Sequence, residues 1–383
     1  MTQLIQTNCT MKLSVMALAL ACSVSVFAQA KEQLVKIGHA APLTGGQGHW
    51  GKDNENGARL AIEELNAKGL VIGGRKIKFE LLSEDDQADP KQGVIVANKL
   101  VDAGVKGVLG HFNSGTAIPA SKIYNAAGIA HITSSATNLT LTQAGYKTTF
   151  RNIANDGSVG GAIAKYALKD LKATKVAVVD DRTAYGQGVA QVFNKVAKSE
   201  GATIVSEQYA NDKTVDFMAI LTAIKGKNPD VVFYGGMDAQ AGVLARQMKQ
   251  LGMNAKLLGA DGICSKEIAN LSHNAVNDVL YCTNGGTELM KMPKGPEFAQ
   301  RFKKRFGNDV LVYAPYAYDA MMTFAAAMKN ADSVEPAKYL PALAKIHYEG
   351  VTGVTEFDER GDLRNPGVTV FTFRNGEKVP VSM

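Results

Sequence analysis

This 383-residue chain is expected to be an α/β protein built as two doubly wound, Rossmann-like lobes with a ligand cleft between them. Its apolar residues alternate along the chain between the period of a strand and that of a helix, and the alternation restarts after about Asn155. Four segments stand out after the predicted strands, two of them rich in glycine and small hydroxyls. Apolar residues make up 46% and charged residues 20%, the balance of a packed globular protein rather than a disordered one.

The first 30 residues stand apart. Lys12 precedes an uncharged run, 13–27, that closes on Ala28-Gln29-Ala30 before Lys31-Glu32. A basic residue, a short apolar core and a small-residue cleavage site make a secretory signal peptide over 1–30, too short to span a bilayer. Cleavage after Ala30 leaves a mature chain of charge +5 (+6 less Lys12). Lipid attachment at Cys22 is the alternative, and Met11 offers a second translation start.

The first lobe opens with a strand at 34–37. A helix over 58–67 places Leu60, Ala61 and Leu65 on one face, with Gly69 just past its end, and 76–82 alternates with period two. Pro90 opens a helix with Val94, Val96, Ala97, Leu100 and Val101 inward, proline being tolerated in a first turn. A strand at 105–109, a helix at 116–127 and a strand at 129–133 complete a β-α-β-α-β-α-β series, the pattern of a parallel sheet clad in helices. The second lobe opens with a strand at 175–180. Its first helix carries Val189, Val192, Phe193, Val196 and Ala197 as one stripe, ended by Gly201. Segments 203–209, 217–225, 230–234, 243–251 and 256–260 continue the alternation. Helices at 297–306 and 314–328 and strands at 367–373 complete the two lobes.

In open α/β sheets ligands sit beyond the carboxyl ends of the strands. The segments there are 39–51 (HAAPLTGGQGHWG), 110–116 (GHFNSGT), 133–137 (TSSAT) and 259–265 (GADGICS). Ser114-Gly115-Thr116 immediately precedes a helix, where free N–H groups and the helix dipole favour an anion. Ser135 and Thr137 add donors. Helix capping is the competing role for each hydroxyl, but two such clusters at successive strand ends favour a shared ligand. Neither cluster contains Arg or Lys, so a carboxylate suits them better than a phosphate. Asp261, at a strand end of the other lobe, suits an ammonium. Neutral donors facing an acid across a cleft fit a zwitterion, an amino acid.

Gly46, Gly48 and Gly51 spell G-x-G-x-x-G, the dinucleotide fingerprint. In that fingerprint the glycines follow the strand directly and an acid about 20 residues on takes the ribose. Here Ala41-Pro42-Leu43-Thr44 intervenes, Trp50 is bulky where a phosphate would approach, Asp53 and Glu55 would repel it, and Glu84 stands 33 residues past Gly51. A flexible loop that aims Trp50 into the cleft is the better reading, and no cofactor is expected. The sequence contains no G-x-S-x-G, H-E-x-x-H, P-loop or C-x-x-C motif, so no enzyme is expected. No two histidines fall at metal spacing, His49 reads as solvated, and Glu84-Asp85-Asp86 reads as an acidic loop rather than a metal site. Arg301, Lys303, Lys304 and Arg305, interleaved with Phe298, Phe302 and Phe306, read as the solvated side of an amphipathic helix and not as a nucleic-acid surface. Cys264 and Cys282, the two cysteines of the mature chain, both follow expected strand ends and are expected to pair in an oxidising compartment.

With these residues in view, the mature chain resembles a periplasmic branched-chain amino-acid-binding protein, the extracytoplasmic receptor of an ABC importer. The resemblance rests on residues 43–69 (LTGGQGHWGKDNENGARLAIEELNAKG), 85–101 (DDQADPKQGVIVANKLV), 107–129 (GVLGHFNSGTAIPASKIYNAAGI), 184–190 (AYGQGVA) and 230–236 (DVVFYGG). It implies a type I periplasmic binding protein fold, with 31–153 plus 286–364 as lobe 1, 154–285 plus 365–383 as lobe 2, and a hinge of three crossovers near 152–156, 283–287 and 365–369. It implies that Ser114, Ser135, Ala136 and Thr137 hold the ligand carboxylate, with Phe112 touching it through backbone, and that Asp261 and Gly262 hold the ammonium. Asp261 stands where close relatives have Glu. Trp50 and Tyr185 match aromatic walls around the ligand side chain, and Met237 replaces a third. A disulfide carried by some members is missing, Ala88 and Asn113 taking its positions. The implied partners are an aliphatic amino acid, leucine-like, and a membrane permease, for a periplasmic monomer; a ligand sensor of the same fold is the alternative.

Overall fold

The computed structural model describes residues 31–381; the expected signal peptide, 1–30, lies outside the described residues. Strands β1 (Glu32–Ala41), β2 (Val71–Ile72), β3 (Arg75–Asp85), β4 (Val108–Gly110), β5 (His131–Thr133) and β6 (Thr149–Arg151) form a sheet in the order β2-β3-β1-β4-β5-β6, parallel except for β2. The chain then builds β7 (Lys175–Asp180), β8 (Thr203–Tyr209), β9 (Val231–Gly235), β10 (Lys256–Gly259) and β11 (Leu280–Gly285). It returns to the first sheet with helices Gly295–Phe306 and Ala314–Asn330 and a two-stranded ribbon, β12 (Tyr348–Glu349) and β13 (Val354–Thr355). It ends with β14 (Val368–Arg374) and β15 (Glu377–Pro380), which add antiparallel strands to the second sheet, ordered β15-β14-β11-β10-β9-β7-β8.

Each sheet has its own core. Ile37, Leu60, Leu65, Phe298, Phe302, Met321 and Phe324 fill the first. In the second, Val176, Val189 and Phe193 pack on Phe233, the two rings stacked with centroids 4.1 Å apart. Of the stripe read on 189–197, Val189, Phe193 and Ala197 face this core with Val196 at its edge, while Val192 is half-buried. The basic cluster lies on the outer side of its helix in ion pairs, Arg301 with Glu64, Arg305 with Glu63 and Lys303 with Asp309, while Phe298 and Phe302 point inward.

Four local expectations are corrected. The helix expected over 58–67 starts ten residues earlier, as Gly48–Lys68, so 39–51 is not a flexible loop: β1 runs to Ala41, a single 3-10 turn (Gly45–Gln47) follows, and Trp50 stands in the first helical turn. Glycines and asparagines weaken this segment as a helix by propensity, but tertiary contacts override propensity. A Cβ on Gly51 would meet the Pro42 carbonyl and one on Gly57 would meet that of Ala314. Glu84 and Asp85 belong to β3, and Asp86, read as part of an acidic loop, is fully buried against His111 (Nδ1–Oδ2 2.8 Å). His49 is not simply solvated: it pairs with Asp238. Cys282 lies within β11 rather than after a strand; it is joined to Cys264 by a disulfide, Cα–Cα 5.5 Å.

Candidate functional site

The carboxyl ends of β4, β5, β9 and β10 face one another across the space between the sheets. There a small cavity is lined by Phe112, Asn113, Ser114, Ser135, Tyr185, Met237, Asp261, Gly262 and Tyr313. Seven of these were singled out from sequence, and they come from separated parts of the chain. Among the described residues no group of three acidic, His or Cys side chains is arranged to hold a metal, and no helix is long and apolar enough to cross a membrane.

Ser114 opens helix Ser114–Ala127, and its hydroxyl accepts from the Asn138 backbone N–H (3.2 Å). Ser135 donates to the Phe112 carbonyl (2.9 Å), tying the loop after β5 to the loop after β4. The free N–H groups of the Ser114 helix therefore end at the cavity, as an anion requires. Ala136 and Thr137 are fully buried and stand behind this wall. The Thr137 hydroxyl has no hydrogen-bond partner there, nor has the Asp156 carboxylate close by, whose backbone N–H donates to the Thr137 carbonyl (2.9 Å). Burial, with Asp261 adding to it, pushes the Asp156 carboxyl up to about 7.

Asp261 lies in a single 3-10 turn after β10 and is 2% exposed. Its Oδ1 accepts from the Tyr185 hydroxyl (2.9 Å) and its Oδ2 from that of Tyr313 (2.8 Å), while the Gly262 N–H donates to the Tyr185 oxygen (2.8 Å). Burial raises the Asp261 pKa and the two tyrosine hydrogen bonds oppose it; burial and the Asp261 charge push both tyrosines well above their ordinary range. A buried carboxylate with only neutral partners favours a cationic guest.

Trp50 does not line the cavity. Fully buried, it stands behind two rings that do, Tyr313 at 5.3 Å and Phe112 at 6.3 Å between centroids, and its indole N–H donates to Asp238 (3.1 Å). Phe112 and Tyr313 meet edge to face at 5.0 Å. Tyr313 was missed from sequence because it follows no strand. It precedes helix Ala314–Asn330, where the buried Asp53 carboxylate accepts the backbone N–H groups of Leu311, Val312, Tyr313 and Ala314 and so fixes its place. Arg151 was missed too. Entirely buried, it donates to the carbonyls of Ala136 (3.0 Å) and Asn138 (2.8 Å) and to Asp362 (2.8 Å), holding the Thr137 loop rigid. A more spacious groove, lined by Asn284, Glu288, Met292, Val312 and Lys378 among others, carries charges of both signs, Glu288 and Asp309 with Lys266, and has no helix start with paired hydroxyls facing an acid; its Lys378 is already spent on the Cys264 carbonyl and Asn284 (2.7 Å each).

Residues 34–377 match the periplasmic binding protein family. The chain is 36% identical to a Leu/Ile/Val-binding protein homologue of Brucella melitensis, covering 89% of this chain and 91% of that one. It is 34% identical to the leucine-, isoleucine-, valine-, threonine- and alanine-binding protein of Pseudomonas aeruginosa, covering 88% and 89%. A branched-chain amino acid transporter substrate-binding protein of Streptococcus pneumoniae, solved with isoleucine, superposes with a TM-score of 0.82 at 27% identity over 91% of this chain and 99% of that one.

Proposed function

The chain belongs to the periplasmic binding protein family, and from that premise we propose that it is an extracytoplasmic receptor that captures an aliphatic amino acid, of the branched-chain class, and delivers it to an ABC permease. The observation that carries this reading is the polarity of the cavity. The helix start at Ser114, with Ser135 beside it, presents donors to the ligand carboxylate, and Asp261 faces them from the other sheet to take the ammonium. Charge-assisted bonds of this kind are each worth roughly 1.5–3 kcal/mol. Between those poles Phe112, Tyr185, Met237 and Tyr313 leave an apolar space, and no Lys or Arg lines it to take a side-chain carboxylate. The three passages of the chain between the sheets act as the hinge, and a ligand touching both lobes favours the closed form by its differential affinity.

Calorimetry on the mature protein with the twenty amino acids tests this. Valine, leucine or isoleucine should bind and glutamate should not; small-angle scattering should show the radius of gyration falling on saturation. Tighter binding of glutamate than of any aliphatic amino acid overturns the ligand class. Turnover of a bound amino acid would overturn the receptor role.

A further inference from the structure

Asp238 opens helix Asp238–Gln250, directly after Met237 of the cavity wall, and is fully buried. Its Oδ1 accepts the Trp50 indole N–H (3.1 Å); its Oδ2 accepts from the Ser265 hydroxyl (2.5 Å) and meets His49 Nε2 (3.0 Å). Ser265 belongs to the same lobe as Asp238. Trp50 and His49 do not: they sit in the first turn of helix Gly48–Lys68, packed on the first sheet. Two of the three partners of this buried carboxylate therefore reach it across the cleft. An acid taken out of water is tolerated only when paired, so Asp238 and the Trp50 indole are buried on the condition that the lobes are together. Trp50 in turn backs Phe112 and Tyr313, the rings that close the cavity.

We propose that Asp238 is a positioning residue for ligand retention, a latch that docks Trp50 and His49 across the cleft and holds the aromatic wall shut without touching the ligand. The proposal rests on the receptor reading above. A contact made only in the closed form deepens that form alone, so its loss appears as faster ligand release. Cross-cleft bonds from Tyr313 to Asp261 and from Asn138 to the Ala184 carbonyl (2.6 Å) involve residues at the cavity or beside it; the Asp238 cluster is set behind the wall.

The test is a double-mutant cycle on Asp238→Ala and Trp50→Phe, the latter keeping a large ring while removing the donor, with dissociation of the tightest-binding aliphatic amino acid followed by stopped flow. Each single variant should release ligand faster by about tenfold, one charge-assisted hydrogen bond, and the double variant no faster than the worse single one. The unfolding midpoint of the ligand-free protein should be unchanged by Asp238→Ala, which a merely structural residue would lower. Additive effects, unchanged release rates, or a fallen ligand-free midpoint with normal release overturn the proposal. Should Asp238→Ala fail to fold, unchanged release from Trp50→Phe alone overturns it. A wild-type protein that binds no amino acid sinks the receptor reading. The latch for ligand retention falls with it, whereas a wild type that binds an aliphatic amino acid and variants that release it at the wild-type rate overturn the latch alone.

Discussion

Asp261 and Asp156 are both buried acids near one cavity, but their surroundings assign them different work. Asp261 has a tyrosine hydroxyl on each oxygen and lines the cavity, which is why it is the acid proposed for the ligand's ammonium. Asp261→Ala should weaken amino-acid binding by at least about thirtyfold, roughly 2 kcal/mol, with the fold intact; calorimetry giving an affinity within threefold of wild type would place the ammonium elsewhere. Asp156 has neither oxygen paired and titrates near 7 instead of 3.8. A carboxyl raised in the folded state contributes stability that is present below its ordinary pKa and lost as pH rises through the folded one. Between pH 3.8 and about 7 the ligand-free protein should therefore lose stability from this group, on the order of 4 kcal/mol at most. Asp156→Asn should recover that loss at pH 8 and change little at pH 4, read by urea unfolding at both; equal stabilities at pH 8 would contradict the burial argument. Asp261 was legible in the sequence because it follows a strand of the second lobe. Asp156 and Tyr313 were not, since neither follows a strand that the apolar pattern showed and their places depend on where the chain crosses between sheets.

At the level of single elements, helix Gly48–Lys68 is the one the sequence pattern described least well. Its first ten residues carry no apolar stripe, and their burial is tertiary: Trp50 on the opposite lobe, Asp53 as the cap of helix Ala314–Asn330, Asn54 between His39 (3.1 Å) and Ser134 (2.8 Å). Gly57 is the crossing point with helix Ala314–Asn330, where the Ala314 carbonyl occupies the space of a side chain. Gly57→Ala should destabilise the protein by about 2 kcal/mol through overpacking, although alanine is the better helix former. A urea midpoint equal to or above that of wild type would show that the two helices part without cost. The helices with regular stripes, such as Ala184–Ser199 and Gly295–Phe306, were legible to within a few residues because one face is buried along their whole length.

For the whole molecule, the Cys264–Cys282 disulfide links the turn that carries Asp261 to β11, the last strand before the chain recrosses to the first lobe. Its loop of 18 residues is worth about 3 kcal/mol on the chain-entropy estimate. Reduction should lower the thermal midpoint by several degrees and weaken binding by loosening the Asp261 turn; two free thiols titrating in unfolded, unreduced protein would refute the bond. The alternating periods of the apolar residues and the restart near Asn155 were enough for two α/β lobes, because burial on a regular element repeats at that element's own period; the hydroxyls and acid after the strands pointed to Ser114, Ser135 and Asp261, while Phe112, Tyr185, Met237 and Gly262 were implied only by the family resemblance. The partners of Asp238, the burial of Asp156 and the position of Trp50 behind the wall were settled by the packing of one lobe on the other, and the clamp of Arg151 on the Thr137 loop by packing within the first. Each is a contact between residues far apart in the chain, and such a contact leaves no period for a sequence to carry.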